Sequence, residues 1–244
     1  ENPFADVSAG IVRDNYSGRN RLLVADVVDY KIYSVALDTG TRELFKDLNN
    51  DGISTVWGMV IDGSADEPVL YAKEYSRSNI LKINLASGEV VSSYNSELYR
   101  ESRALIIDET NGVKSLISVN DGAFGNNSNV IAFNLENEEF SIISSDVDHP
   151  LMPSTSGFAL DKARDRYLVT VNRRSENLYG IYSISRTTGE RKAFSTNQVG
   201  SGELFVDRTA LQEIAVDEEK NTLYATDYLT GKLFSIDLIT GNRK

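Results

Sequence analysis

The sequence has no cysteine, so disulfides, zinc–thiolate centres and cysteine nucleophiles are excluded at once. A single histidine, His149, confines any Ser-His-Asp chemistry to one place in the chain. Basic residues are in deficit. Lys and Arg number 25 against 36 Asp and Glu, a formal net charge of −11, whereas nucleic acid phosphates call for a basic footprint. No apolar run approaches the roughly 18–20 residues that cross a bilayer, and no segment sustains helical periodicity. Lack of cysteine suits an extracytoplasmic or a cytosolic protein alike; an acidic surface rich in Asn, Ser and Thr tips the expectation toward a periplasmic or extracellular setting. The first residue is Glu1, not methionine, and the expectation is that a signal peptide, tag or longer N-terminal region was removed.

What is present is a repeat. The segment RLLVADVVDYKIYSVALDTG (21–40) returns as NTLYATDYLTGKLFSIDLITG (221–241), and weaker copies begin at Pro68, Lys114 and Arg166. Each copy follows a short apolar run ending in aspartate, at Asp14, Asp62, Asp108, Asp161 and Asp217, with spacings of 46 to 56 residues. Within each copy the third apolar stretch alternates with period two. Tyr33, Leu81, Ile131, Tyr182 and Phe234 share one position, and Val35, Ile83, Phe133, Ile184 and Ile236 the next on the same face. Ser34, Lys82, Ala132, Ser183 and Ser235 fall on the other face. Such alternation marks strands. Four short antiparallel strands repeated with turn signals predict an all-β fold, a β-propeller of four-stranded blades. The whole chain reads as one domain, with repeats at about 8–48, 55–96, 102–145, 155–197 and 210–244.

The segment ENPFADVSAGIVRD (1–14) aligns without a gap to DHPLMPSTSGFALD (148–161), and Lys244 falls where an outer strand should begin. The five repeats therefore lack one outer strand. They read either as a five-bladed ring with an incomplete last blade or as part of a six-bladed one.

The VAD and ATD endings at Asp26 and Asp227, each followed by Leu-x-Thr-Gly after the next strand, resemble repeats of the NHL, YWTD and gluconolactonase-like propellers, grouped with TolB-like folds. The resemblance covers nearly the whole chain and implies the fold, with six blades common among the relatives, but no single activity. Gluconolactonase-like enzymes hold a divalent metal with a Glu, Asn and Asp set, the Glu in an early Glu-Gly-Pro-type motif. Glu1-Asn2-Pro3-Phe4 is superficially similar to that motif, yet it aligns better with His149-Pro150-Leu151, an ordinary linker of the same repeat.

Strand direction places the inter-blade linkers and the turns between second and third strands on one rim, and the Thr-Gly turns on the other. Loops on a rigid scaffold usually carry binding. The linker rim offers Trp57, Arg103, His149, Gln212 and Glu213, with Tyr30, Tyr75, Arg77, Arg173, Arg174 and Tyr228 from the turns. Aromatic rings beside arginines suit sugars, peptides or acidic ligands. The candidate ligand-binding set is Trp57, Tyr75, Arg77, Arg103, Arg173, Glu213 and Tyr228; the structural alternatives are a channel plug for Trp57 and solvated surface for the arginines. Second strands end in Asp26, Glu74, Asn120, Asn172 and Asp227, which are expected to cap the following turns rather than converge on a metal. His149 reads as a surface residue, and no catalytic residue is assigned.

One local motif carries a mechanism. Asp47-Leu48-Asn49-Asn50-Asp51-Gly52-Ile53-Ser54-Thr55 matches the D-x-N-x-D-G pattern of calcium loops. Asp47, Asn49 and Asp51 would supply side-chain oxygens, Ile53 its carbonyl and Thr55 the ninth position, while Gly58 stands where the usual bidentate glutamate belongs. Calcium is thus a possible cofactor of modest affinity, and a plain turn is the alternative. The expected function is a non-catalytic propeller that binds a small molecule, glycan or protein. A metal-dependent lactonase or esterase of the gluconolactonase-like kind is the alternative.

Overall fold

The structure, a computed structural model, describes residues 10–64, 67–74, 77–99, 102, 104–120, 128–149, 152, 155–173, 178–205 and 211–244. Among the described residues nineteen strands form five consecutive sheets. The first holds β1 (Ile11–Asp14), β2 (Arg21–Asp26), β3 (Lys31–Ala36) and β4 (Arg42–Asp47). The second holds β5 (Val56–Asp62), β6 (Val69–Glu74), β7 (Asn79–Asn84) and β8 (Val90–Asn95). The third holds β9 (Ile106–Thr110), β10 (Val113–Val119), β11 (Val130–Asn134) and β12 (Phe140–Ser144). In the fourth are β13 (Thr155–Asp161), β14 (Arg166–Arg173), β15 (Leu178–Ser185) and β16 (Arg191–Thr196); the fifth has β17 (Leu211–Asp217), β18 (Thr222–Asp227) and β19 (Lys232–Asp237). Every sheet is a meander in chain order. The blade assignment made from the repeat is borne out.

A fourth strand in the last sheet is only begun. An isolated bridge joins Ile236 to Arg243, and Lys244 exchanges backbone hydrogen bonds with Ser235 at 2.9 and 3.0 Å. The aspartates predicted to be equivalent all lie on the first strand of their sheets. Asp14, Asp62, Asp161 and Asp217 close β1, β5, β13 and β17, and Asp108 lies within β9.

The chain divides into two compact units, Glu1–Leu116 and Ile117–Lys244, and each has a core of the same design. In the first unit Leu23, Ala25 and Ile32 of the first sheet pack on Met59, Ile61, Leu70, Ala72, Leu81 and Ile83 of the second. In the second unit Ala159, Leu168 and Ile181 of the fourth sheet pack on Ile214, Leu223, Ala225, Phe234 and Ile236 of the fifth. In each unit, then, the trailing face of one blade meets the leading face of the next in sequence, and the core lies between them. Period-two alternation serves both faces because both are apolar.

Phe133 and Phe234 lie on the face that alternation turns toward a neighbouring blade and are buried, but Tyr33, at the position of Phe234, is only half-buried. Tyr33 pairs across the sheet with Leu44, itself exposed, on the leading face of the first blade. The alternation was in phase; what differs is that this face is open. Phe133 is fully enclosed and stacks on Phe140 at 4.6 Å between ring centroids. Phe133→Ala should therefore cost about 3–5 kcal/mol, read as a lower urea midpoint at constant slope. An unchanged midpoint would show that this position is not core.

Candidate functional site

Hydrogen bonds sort the turns into two rims, as the strand directions require. On one rim Leu37 N–H reaches the Asn20 carbonyl (3.0 Å), Leu85 N–H that of Pro68 (3.1 Å) and Leu238 N–H that of Asn221 (2.9 Å). These bonds tie first turns to third turns. On the other rim Leu48 N–H donates to Tyr30 O (3.0 Å), the Asn95 side-chain amide to Arg77 O (2.8 Å) and Ser96 N–H to Ser78 O (3.3 Å), tying linkers to second turns.

The acids at the second-strand ends cap the turns that follow. Asp26 Oδ1 accepts the N–H groups of Val28 (3.0 Å) and Asp29 (3.1 Å). Asp227 accepts those of Leu229 (3.1 Å) and Thr230 (3.4 Å) and, at 2.7 Å, the Thr230 hydroxyl. Glu74 is fully buried and takes the Ser54 N–H and hydroxyl, both at 3.0 Å, on Oε1 and the Asn79 amide at 2.9 Å on Oε2. The fourth blade departs from this pattern. Val171 holds the corresponding register, and Asn172, one residue on, bridges both the N–H and the carbonyl of Leu211 (3.1 and 2.7 Å).

Of the proposed ligand-binding residues, Arg77 and Tyr228 are exposed on the linker rim, together with Tyr30, held at φ 54° in its turn. Arg77 lies 3.8 Å from Glu74, a long contact for a guanidinium that is mostly in water. Trp57 is half-buried in β5, and Gln212 and His149 are half-buried as well. Tyr75, Arg103 and Arg174 lie outside the described residues, as does the Glu1–Phe4 segment, and of Arg173 only the strand position is described. Trp57 and Arg77 belong to the first unit, Glu213 and Tyr228 to the second.

Glu213 breaks the repeat. It occupies the place of Gly10 and Gly157, where a Cβ would come within 2.8 Å of Trp57 O and 2.6 Å of Gln212 O on the next inner strand. The Glu213 side chain keeps an exposed surface, while desolvation by the surrounding protein pushes its carboxyl pKa up. A Glu in a glycine position was the sequence signal, EIAVD against GIVRD and GFALD.

The proposed calcium loop is a stapled turn. Asp47 Oδ1 accepts the Asn49 N–H (3.0 Å) and side-chain amide (3.1 Å), and that amide also donates to Asp29 O (3.0 Å). Asp51 pairs with Lys46 at 2.6 Å. Gly52 sits at φ 63°, a left-handed conformation open to glycine. Ile53 is buried, its N–H bonded to Leu48 O at 3.0 Å, and Thr55 is half-buried just before β5. The three acidic and amide side chains come from one turn, in which Asp47 accepts from Asn49 and Asp51 pairs with Lys46.

Lys73, next to Glu74, drew no attention in the sequence. It is fully buried on β6, and its ammonium donates to the Glu74 carbonyl. Desolvation lowers its pKa to about 7 against the pull of Glu74. Registers place it opposite Ile80 as Ala25 stands opposite Ile32 and Thr226 opposite Leu233, so a lysine here replaces a small residue.

No family model matches the sequence, and no curated protein matches it. Solved structures do. A chain in the crystal structure of a nidogen/laminin complex superposes with a TM-score of 0.69 at 12% identity, over 97% of this chain and 79% of that one. The extracellular domain of the one-component system BT4673 from B. thetaiotaomicron gives 0.67 at 12% identity, with 100% of this chain spanning 28% of that one. Virginiamycin B lyase from Staphylococcus aureus gives 0.65 at 13%, over 98% and 70%. What is shared at such identities is the fold, a β-propeller. Among the described residues no helix is long and apolar enough to cross a membrane.

The buried lysine has a pH signature of defined sign. Its folded pKa, about 7, lies below the 10.5 of a solvated lysine, so between those values the unfolded chain holds the extra proton. Stability then rises with pH across that window, by at most about 1.4 kcal/mol per unit. Lys73→Met should remove that rise from urea melts compared at pH 7 and pH 10. Parallel pH profiles for the two proteins would show that Lys73 is already solvated.

Proposed function

We propose that this propeller is a non-catalytic binding module working outside the cytoplasm, and that within each compact unit the linkers and second turns carry its ligand contacts. The observation that carries the reading is how the polar groups there are divided. The acids Asp26, Glu74 and Asp227 are engaged in capping, while Tyr30, Arg77 and Tyr228 are left to solvent. Aromatic and guanidinium groups on short, internally hydrogen-bonded turns lose little conformational entropy on binding. They suit a polypeptide, glycan or acidic small molecule. The nidogen/laminin and extracellular-domain likenesses support a binding role in that setting.

The test uses an immobilised chain screened against glycan and peptide arrays, followed by titration of the best binder. Arg77→Ala for a ligand of the first unit, or Tyr228→Ala for one of the second, should weaken binding about tenfold, a loss of about 1.4 kcal/mol, with melting temperatures unchanged. Divalent-metal-dependent hydrolysis of sugar lactones by the wild-type chain would overturn the reading in favour of an enzyme.

Calcium in the 47–55 loop belongs to the same proposal as a stabilising ion. Asp47, Asn49 and Asp51 with the Ile53 carbonyl offer four of the six to eight oxygens that calcium takes. To use them, Asp51 has to exchange Lys46 for the ion and Asn49 has to turn its amide, so affinity is expected to be modest. Millimolar calcium should raise the melting temperature, and Asp51→Ala should abolish the rise while the apo protein stays folded. Identical melts in calcium and in chelator would leave the loop a turn and nothing more.

A further inference from the structure

Two tripeptides in the sequence have the form Asn-x-Ser/Thr with x other than proline, the pattern that marks an acceptor for an N-linked glycan. One, Asn126-Asn127-Ser128, begins outside the described residues. The other, Asn15-Tyr16-Ser17, lies whole in the first turn of the first blade, between β1 and β2. Asn15 and Ser17 are both exposed, and Tyr16 between them is half-buried.

The turn is built so that its middle residue anchors it while the neighbours face water. The Tyr16 ring packs on the core shared by the first two sheets and lies against the backbone just past β5, where a Cβ on Gly63 would collide with it. Tyr16 N–H donates to Asp14 Oδ1 at 3.2 Å, and its carbonyl accepts the Arg19 N–H at 3.0 Å. Asp14 is itself paired with Arg19 and Arg21, at 3.0 and 2.8 Å. Ser17 takes a left-handed φ of 52° as the chain turns back toward β2. Asn15 makes no capping bond. Asparagines that open third turns are committed by contrast. Asn84 Oδ1 accepts the N–H groups of Ala86 and Ser87, both at 2.9 Å, and Asn134 Oδ1 those of Glu136 and Asn137, at 2.8 and 3.3 Å.

We propose that Asn15 is an acceptor for an N-linked oligosaccharide, an inference that rests on the reading that the protein works outside the cytoplasm. The donor is a lipid-linked oligosaccharide pyrophosphate. Asn15 Nδ2 bonds to the anomeric carbon of the first sugar, and the bond from that carbon to the pyrophosphate oxygen breaks. The lipid pyrophosphate leaves, and the amide gives up one proton to a base of the transferase; nothing is oxidised or reduced. A hydroxyl two residues on is the second element the transferase reads, and Ser17 presents it from the same exposed turn. A glycan here is bulky and solvated. It stands on the rim of first and third turns, which within the first unit lies away from Tyr30 and Arg77 on the turns tied to linkers. Glycan and ligand contacts therefore do not compete.

To test it, the full chain is sent through the secretory pathway of eukaryotic cells behind an added signal sequence. All of the chain in that pathway, secreted or retained, is digested with peptide-N-glycosidase and read by peptide mass spectrometry. The expected result is a glycosylated chain whose digestion leaves an acid in place of the amide at position 15. Asn15→Gln and Ser17→Ala should each abolish that mark, and Asn126→Gln should leave it. A chain without glycan at position 15, or a mark that survives Ser17→Ala, overturns the proposal and leaves the extracytoplasmic reading standing, because the signal sequence was supplied. Recovery of the chain from the cytosol of its source cells overturns both, since no such transferase meets the site there.

Discussion

The constraint on which this fold depends is that a four-stranded sheet apolar on both faces cannot stand alone. Leu23 and Ile32 face forward, Leu70 and Ile83 face back, and they meet in a core that neither sheet owns. The polar contacts follow the same geometry. Arg21 donates to Asp14 at 2.8 Å, reaches Leu85 O of the next blade at 3.2 Å and lies over the Phe45 ring. Arg166 does the same with Asp161, Leu238 O and Phe194 in the second unit. Asp14 and Asp161 are fully buried, and a buried carboxylate is tolerable only when paired. One side chain therefore neutralises a charge, joins two blades and covers a ring, and its loss would be felt in all three.

That economy explains why so many carboxylates among the described residues are already engaged. Capping takes Asp26 and Asp227, the buried linker contact takes Glu74, and the first turns take Asp62, held below the usual carboxylate range by Ser64 and Lys114 in spite of its burial. Groups committed to backbone amides are poor acids or bases for a substrate, because releasing them leaves orphaned donors. Binding can use what remains: turn-tip side chains whose backbone is already fixed.

Much of the fold was legible in the sequence because a propeller states its pattern five times. Period-two alternation located Phe133 and Phe234 in the core, and the run ending in Asp14, Asp62, Asp108, Asp161 and Asp217 located the inner strands. Tyr33 was misjudged for a reason outside its own strand: burial there depends on a neighbouring sheet, which alternation does not report. Asn172 slipped by one because β14 and β15 continue in register to Arg173 and Leu178, where the first, second and fifth blades have already turned. The D-x-N-x-D-G loop shows the opposite limit. Its residue types were read correctly, but a motif does not say whether Asp51 meets an ion or Lys46.

The residues that break the repeat are the most informative ones, because the repeat sets an expectation at every position. A strand position that is Ala25 in one blade and Thr170 in another admits little side chain, yet Lys73 places a long amine there and bears its desolvation. The glycine of the inner strand is required at Gly10 and Gly157 by carbonyls within 3 Å of a would-be Cβ, yet the fifth blade installs Glu213. Neither change serves packing as the other blades achieve it. A sequence consistent at every level but a few concentrates its exceptions where something other than stability was selected. Glu213 is the exception that also keeps an exposed surface on the proposed ligand rim, with a carboxyl pKa already raised toward neutrality by desolvation. A carboxylate that is costly to ionise gains more from a cationic or hydrogen-bond-donating ligand than a fully solvated one does, which is the physical ground for keeping Glu213 in the proposed ligand set.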